Sequence, residues 1–116
     1  MTIDDLTVAP WHRHDWGGEL RSIDGTSAAD FTREDVAELV AYNGSGDRWD
    51  GNAIAIVRLR DGRFVSWETN YGPTGDGFAC DAYGGDADIM FAATAKMAAR
   101  GISEQGRDSL VWLVMP

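Results

Sequence analysis

The sequence has a single cysteine, Cys80, and few basic residues. One cysteine excludes an internal disulfide and a cysteine-based metal cluster. Ten lysines and arginines stand against 19 aspartates and glutamates, which gives a formal net charge of −9. A chain this acidic is repelled by DNA and by anionic membranes, so neither is expected as a direct partner. The acidity keeps the chain soluble, and it also suits a basic protein partner or competition with nucleic acid for a basic site.

Long apolar runs are also missing. None approaches the roughly 18 residues that a membrane-spanning helix needs. The first ten residues, MTIDDLTVAP, are acidic and lack the apolar core of a signal peptide. We therefore expect a cytoplasmic protein. A length of 116 residues with 44% hydrophobic residues predicts one domain, residues 1–116, with a real core.

A β-hairpin is the clearest regular element in the sequence. Residues 53–60, AIAIVRLR, and residues 63–69, RFVSWET, flank an Asp-Gly pair, which is the strongest short signal for a tight hairpin turn. The second strand alternates, and its pattern predicts Val65 and Trp67 on one face. Residues 53–69 are therefore predicted as a central hairpin.

Weaker signals predict the elements around this hairpin. Phe31 to Tyr42 is predicted as a helix, with Thr32 as its N-cap and Asp35 completing a capping box. The other predictions are short strands at 6–8, 19–23 and 88–92, with a helix as the alternative at 88–92. Helices are predicted at 94–100, capped by Thr94, and at 104–112, capped by Ser103. Gly106 weakens this last helix by about 1 kcal/mol relative to alanine.

Together these elements predict an α+β fold. We expect a small antiparallel sheet of about three to four strands around the central hairpin, with two to three helices packed on one face. Trp67 is expected in the core or under a long loop. Trp11, Trp16 and Trp49 fall in segments predicted as loops, where they either fill the core or lie on a binding surface.

The longest segment without regular structure, NYGPTGDGFACDAYGGDAD at residues 70–88, contains five glycines, four aspartates, three aromatic residues and no lysine or arginine. Connections above roughly 12–15 residues are usually functional or disordered, and disordered segments are poor in aromatic residues. We therefore predict an ordered binding loop, with the 43–52 loop beside it. Aromatic side chains would anchor a partner and aspartates would attract a basic one. The predicted contact residues are Trp49, Tyr71, Asp76, Phe78, Asp81, Tyr83 and Asp86.

Catalytic and metal-binding patterns are incomplete. His12 and His14 could share a metal from one face of a strand, but no second cluster completes the site. Aspartates at 47–50 and 76–88 suit calcium, yet no glutamate closes a 12-residue EF-hand frame. Cys80 lies among aspartates, which disfavour a reactive thiolate. We predict no catalytic residue, no metal and no cofactor, and keep a small carboxylate- or metal-dependent hydrolase as the alternative.

Three segments, DGRFVSWE, GPTGDGF and DAYGGDADIMFA, carry a resemblance to small uncharacterised proteins of actinobacteria and their bacteriophages. The resemblance covers roughly residues 31–112. It implies a small phage accessory protein that binds, and can inhibit, a host protein in the bacterial cytoplasm.

A further alternative is a self-associating structural protein, because the apolar C-terminal segment LVWLVMP could form a homodimer contact.

Overall fold

A computed structural model describes residues 2–6, 9–12, 20–43, 51–71 and 89–115 of the chain. Its regular elements form one mixed sheet and two short α-helices. The strands are β1 Leu20–Ser22, β2 Val36–Asn43, β3 Gly51–Leu59, β4 Phe64–Tyr71, β5 Ile89–Ala92 and β6 Leu110–Trp112. The helices are α1 Ala95–Ala99 and α2 Glu104–Asp108, and 3-10 turns occupy Ile3–Asp5, Pro10–His12 and Arg33–Asp35.

The strand order is β1-β5-β4-β3-β2-β6, with β1 parallel to β5 and all other neighbours antiparallel. The predicted α+β class is confirmed. The predicted sheet was too small and too regular, because the described residues form six strands, including one parallel pair. None of the described helices is long and apolar enough to cross a membrane.

The predicted hairpin is confirmed as β3 and β4. Val57 is in register with Val65, and the Leu59 N–H donates to the Arg63 carbonyl at 2.8 Å. The turn places Gly62 at a φ of 98°, a left-handed conformation that glycine adopts at little cost. Such a turn closes the hairpin tightly and leaves only one register for the two strands.

The predicted helix at 31–42 is wrong, because residues 36–43 form strand β2. Two extra residues interrupt the pairing of β2 with β3, one between Val36 and Glu38 and one between Leu39 and Ala41. Each such bulge shifts the alternation of faces by one residue. Val36, Leu39 and Val40 therefore reach the protein core from a strand, although their spacing resembles that of a helix.

The capping signals before residue 36 are real, but they serve a single 3-10 turn. The Asp35 carboxylate accepts the Thr32 backbone N–H at 2.8 Å, and the Asp35 N–H donates to the Thr32 carbonyl at 3.0 Å. Local capping chemistry therefore stabilises Arg33–Asp35, and pairing with β3 decides the conformation that follows.

The remaining elements follow the predictions as far as residue 108. Strand β1 lies within the predicted strand 19–23, and β5 lies within the predicted strand 88–92. Helix α1 begins after Thr94, whose hydroxyl accepts the Met97 N–H at 3.1 Å. Helix α2 begins after Ser103 but ends at Asp108, not at 112, because residues 110–112 pair with β2 as β6. Leu6 lies outside any strand, and the other two residues of the predicted strand 6–8 lie outside the described residues.

The central strands of the sheet are buried on both faces. What we term the helix face is covered by α1, and Ser66 fixes this contact because its buried hydroxyl donates to the Ala98 carbonyl at 2.7 Å. The opposite, aromatic face is covered by residues from the N-terminal segment and by Phe31. Buried residues of the helix face are Val40, Ala41, Ile54, Ile56, Ala92, Ala95, Ala98, Ala99 and Ile102. Those of the aromatic face are Leu6, Ala9, Phe31, Val36, Leu39, Ala55, Val57, Leu59, Val65, Trp67, Ile89 and Phe91.

Candidate binding surface

One end of the sheet, which we term the loop end, holds the anchor points of both long connections. β2 ends there at Asn43, β3 begins at Gly51, β4 ends at Tyr71 and β5 begins at Ile89. Gly51 is in register with Tyr71, so the second half of one connection and the first half of the other are attached to paired residues. Residues 44–50 and 72–88 therefore leave the sheet and return to it at the same end.

A third segment joins the sheet at the same place. β1 begins at Leu20, which is in register with Ile89 at the start of β5. Residues 13–19 precede it directly in the chain. The parallel pairing of β1 with β5 brings this attachment point to the loop end, a consequence of topology that no local sequence signal contains.

Of the predicted contact residues, the structure describes only the backbone of Tyr71. It is the last residue of β4, at the root of the long connection. The other predicted contact residues lie outside the described residues: Trp49, Asp76, Phe78, Asp81, Tyr83 and Asp86. His14 and Cys80 lie outside them as well, and the backbone of His12 ends a 3-10 turn instead of lying on a strand.

The three segments attached at the loop end carry most of the net charge of the protein. Residues 13–19, 44–50 and 72–88 contain eight acidic and two basic residues, which accounts for six of the nine net negative charges. They also contain four aromatic residues, Trp16, Trp49, Phe78 and Tyr83. Acidic and aromatic residues that are scattered along the sequence are thus attached to one end of one sheet.

Glu68 fixes α2 to β4 close to this end. Its Oε1 accepts the Ser103 backbone N–H at 2.8 Å, and its Oε2 accepts the Ser103 hydroxyl at 2.7 Å. The Ser103 oxygen in turn accepts the Gly106 N–H at 3.1 Å as the N-cap of α2. The sequence predicts Ser103 as this cap, but it holds no signal that Glu68 would meet it.

Trp67 and Trp11 belong to the interior of the aromatic face. Trp67 is 1% exposed, and its ring meets the edge of Trp11 at a centroid distance of 5.6 Å. Trp11 also meets Phe31 edge-on at 6.3 Å, and Phe31 meets Phe91 at 5.9 Å. Among the described residues, Trp67 Nε1 is the one buried side-chain nitrogen or oxygen without a hydrogen-bond partner. These tryptophans therefore build the scaffold, not the binding surface.

Arg63 joins the hairpin to the segment before β2. Its Nη1 donates to the carbonyls of Ser27 and Ala29 at 2.8 and 3.0 Å, and its Nε donates to Asp61 Oδ2 at 2.9 Å. The guanidinium carbon lies 5.0 Å from the centre of the Phe91 ring, a distance typical of cation–π contact. A planar group with several donors suits this set of acceptors better than an ammonium would.

Several carboxylates of the described part serve local structure. Hydrogen bonding to Arg33 holds the pKa of Asp4 below its ordinary value. Hydrogen bonds from Thr26 and from the Ala93 N–H lower the pKa of Asp24, and the Arg63 backbone N–H lowers that of Asp61. Within the described ranges, no three His, Cys, Asp or Glu residues are grouped so that they could hold a metal ion.

Comparison with known proteins returned no match: no protein-family model, no curated protein and no solved structure matches this chain.

Proposed function

We propose that the chain is a non-enzymatic binding protein whose contact surface is built by the three segments attached at the loop end. The observation that carries the proposal is the shared attachment of residues 13–19, 44–50 and 72–88. Binding residues are commonly placed on loops that a rigid scaffold holds in position. Here the scaffold is a sheet whose central strands are buried on both faces, and the Glu68–Ser103 contact fixes a helix near the loops.

The chemistry of these segments suits a basic protein surface. Six net negative charges speed the encounter with a positive partner and repel nucleic acid. Aromatic residues supply large rigid contacts, which dominate the energetics of many interfaces. Tyr71, Phe78 and Tyr83 are the proposed anchors, with Trp49 beside them. Asp76, Asp81 and Asp86 are the proposed steering residues.

The resemblance to proteins of actinobacteria and their bacteriophages supplies the setting of the proposal. In that setting the chain is a phage accessory protein in the cytoplasm of the bacterial host. Its partner is a host protein, which it inhibits by covering a basic surface. The proposal involves no cofactor, no direct contact with nucleic acid and no membrane.

An affinity capture from actinobacterial lysate, with identification by mass spectrometry, tests the anchors. The intact chain is compared with the triple variant Tyr71→Ala, Phe78→Ala and Tyr83→Ala, and a thermal melt of the variant verifies that it folds. We expect one host protein that the intact chain retains and the folded variant loses. Retention of the same partner by the folded variant would refute the proposed anchors.

The steering charges are tested separately with the captured partner. The double variant Asp76→Asn and Asp81→Asn is compared with a control of equal charge change, Glu34→Gln and Glu104→Gln, at exposed described positions. We expect only the first pair to slow association and to reduce its dependence on salt. If both double variants slow association equally, the partner responds to the net charge of the chain and not to a localised acidic surface.

Thermal melts distinguish the metal-dependent alternative. A ligand that binds only the folded state raises the melting temperature. We expect Ca²⁺, Mg²⁺, Mn²⁺ and Zn²⁺ to leave the melting temperature unchanged. A rise with one ion, abolished by Asp76→Asn or Asp81→Asn, would favour the hydrolase interpretation over the binding protein.

A further inference from the structure

Strand β6 forms one edge of the sheet, and half of its backbone groups have no partner in the described part of the chain. The Leu113 N–H donates to the Val40 carbonyl at 2.8 Å, across the pairing of β2 with β6. In an antiparallel pair, successive residues direct their N–H and C=O alternately toward the partner and away from it. The backbone N–H and C=O of Val111, two residues before Leu113, therefore point toward Tyr42 of β2. The backbone groups of Leu110 and Trp112 point outward, and β6 pairs with no second strand of the described part.

The three-residue length of β6 is the one protection that this edge has among the described residues. Natural edges are kept short, or they carry charges, prolines or bulges that prevent pairing with another chain. No residue from 110 to 115 is charged, whereas β1 at the opposite edge contains Arg21. Five large hydrophobic side chains are exposed in the described part, and four of them lie here: Val111, Leu113, Val114 and Met115, with exposed fractions of 45%, 46%, 40% and 83%.

We propose that β6 pairs with β6 of a second copy, antiparallel, across a two-fold axis at Val111. This register places Leu110 opposite Trp112 of the second copy. Because those are the residues whose backbone groups point outward, both copies satisfy them, which gives four new hydrogen bonds. Val111 then meets its own counterpart at the axis, as an isologous contact requires. The two sheets become one continuous sheet of twelve strands.

The charge distribution favours this antiparallel arrangement over a parallel one. β6 begins beside Asn43, at the loop end of the sheet. Parallel pairing would place the two loop ends, with six net negative charges attached to each, side by side. Antiparallel pairing directs them to opposite ends of the joined sheet and leaves both proposed contact surfaces free. Salt screens the remaining repulsion between the copies, so the dimer strengthens as salt rises.

The contact between the two β6 strands is small. A three-residue strand and a few apolar side chains correspond to an interface below about 1,200 Å², the range of weak and transient complexes. We therefore expect a concentration-dependent dimer. This proposal does not depend on the loop-end binding surface, and salt separates the two because attraction to a basic partner weakens with salt.

Sedimentation velocity over a range of concentrations tests the dimer with charge reversal at the axis. Val111→Lys places two like charges together, and Val111→Glu does the same with the opposite sign. We expect each variant alone to raise the dissociation constant at least about ten-fold, or about 1.4 kcal/mol, and an equimolar mixture to restore the dimer. The matched control is Leu20→Lys, which changes an exposed leucine on the opposite edge strand and should leave the dimer intact.

Amide hydrogen exchange of the unmodified chain gives a second readout. The N–H groups of Leu110 and Trp112 should exchange freely at low concentration and become protected at high concentration. A chain that stays monomeric at all concentrations overturns the proposal. So does a dimer that survives Val111→Lys, or a mixture that fails to restore it. Protection of these amides only in the presence of another protein would instead assign the edge to a partner's strand.

Discussion

Replacing Gly106 by alanine is expected to destabilise the protein, although Gly106 lies inside helix α2. In an isolated helix the same change stabilises by about 1 kcal/mol, because glycine has more backbone freedom to lose. Here the added Cβ would lie 2.5 Å from Glu68 Oε2, 2.6 Å from Ile102 Cγ2 and 2.9 Å from Ile54 Cδ1. All three distances are shorter than van der Waals contact allows.

The magnitude follows from the two opposing terms. Overpacking of a well-filled site costs roughly 1–3 kcal/mol, and the helix preference returns about 1 kcal/mol. Glu68 can move toward solvent, but it then loses its hydrogen bonds to Ser103. The two terms leave a net loss of up to about 2 kcal/mol in the free energy of unfolding.

Urea unfolding followed by circular dichroism measures this loss. The matched control is position 105, which is exposed in the same helix. There Gln105→Ala should be more stable than Gln105→Gly by the ordinary helix preference, so the two positions should show opposite signs for glycine against alanine. If Gly106→Ala stabilises as the control predicts, α2 does not pack this closely on the sheet, and the inferred contact with Glu68 is wrong.

Three further predictions concern the described scaffold. Arg63→Lys should lower stability by about 1–3 kcal/mol because one ammonium cannot serve both the Asp61 carboxylate and the two carbonyls before β2. Arg60→Lys, at an exposed arginine with one hydrogen bond to the Glu34 carbonyl, should cost less than half as much in the same urea titration. The pKa of Asp24 is lowered, so the stability that its carboxylate contributes is complete above about pH 4 and is lost as pH falls through the folded-state pKa. Asp24→Asn should therefore lower the melting temperature at pH 6 and have a smaller effect at pH 2. An equal loss at both pH values would refute a stabilising role of the Asp24 carboxylate. Ser103→Ala should cost about 1 kcal/mol through loss of the N-cap, and an unchanged unfolding midpoint would show that the cap contributes nothing.

The parts of the fold that could be predicted have strong local causes. Short hairpin loops need glycine where φ is positive, so Asp61-Gly62 identified both strands, and the loop that forms has three residues, 60–62, between Leu59 and Arg63. The hydroxyls of Thr94 and Ser103 identified both helix starts, because a cap acts on backbone groups within its own first turn. The alternation of side chains along β4 assigned Val65 and Trp67 to one face, because this alternation follows from strand geometry and does not depend on neighbouring strands.

The wrong secondary-structure predictions fall where pairing with a distant strand decided the conformation. β2 contains two bulges against β3, so its apolar spacing imitated a helix. Residues 110–112 have an apolar pattern that fits a helix or a strand, and an available edge on β2 selected the strand. The cost of a side chain at Gly106 likewise depends on Glu68 and Ile54, which are distant in sequence.

The candidate binding surface divides in the same way. Its chemistry was readable directly, because the length, the charge and the aromatic content of residues 70–88 are properties of the sequence itself. Its location was not readable, because segments 13–19, 44–50 and 72–88 meet only through strand order and strand direction. The sequence alone therefore determined the turns, the helix starts and the acidic–aromatic composition, each of which arises within a few residues of chain. Only the tertiary structure decided which of those segments share one end of the sheet and which strand edge is left open, because pairing between distant strands depends on the whole set of competing partners.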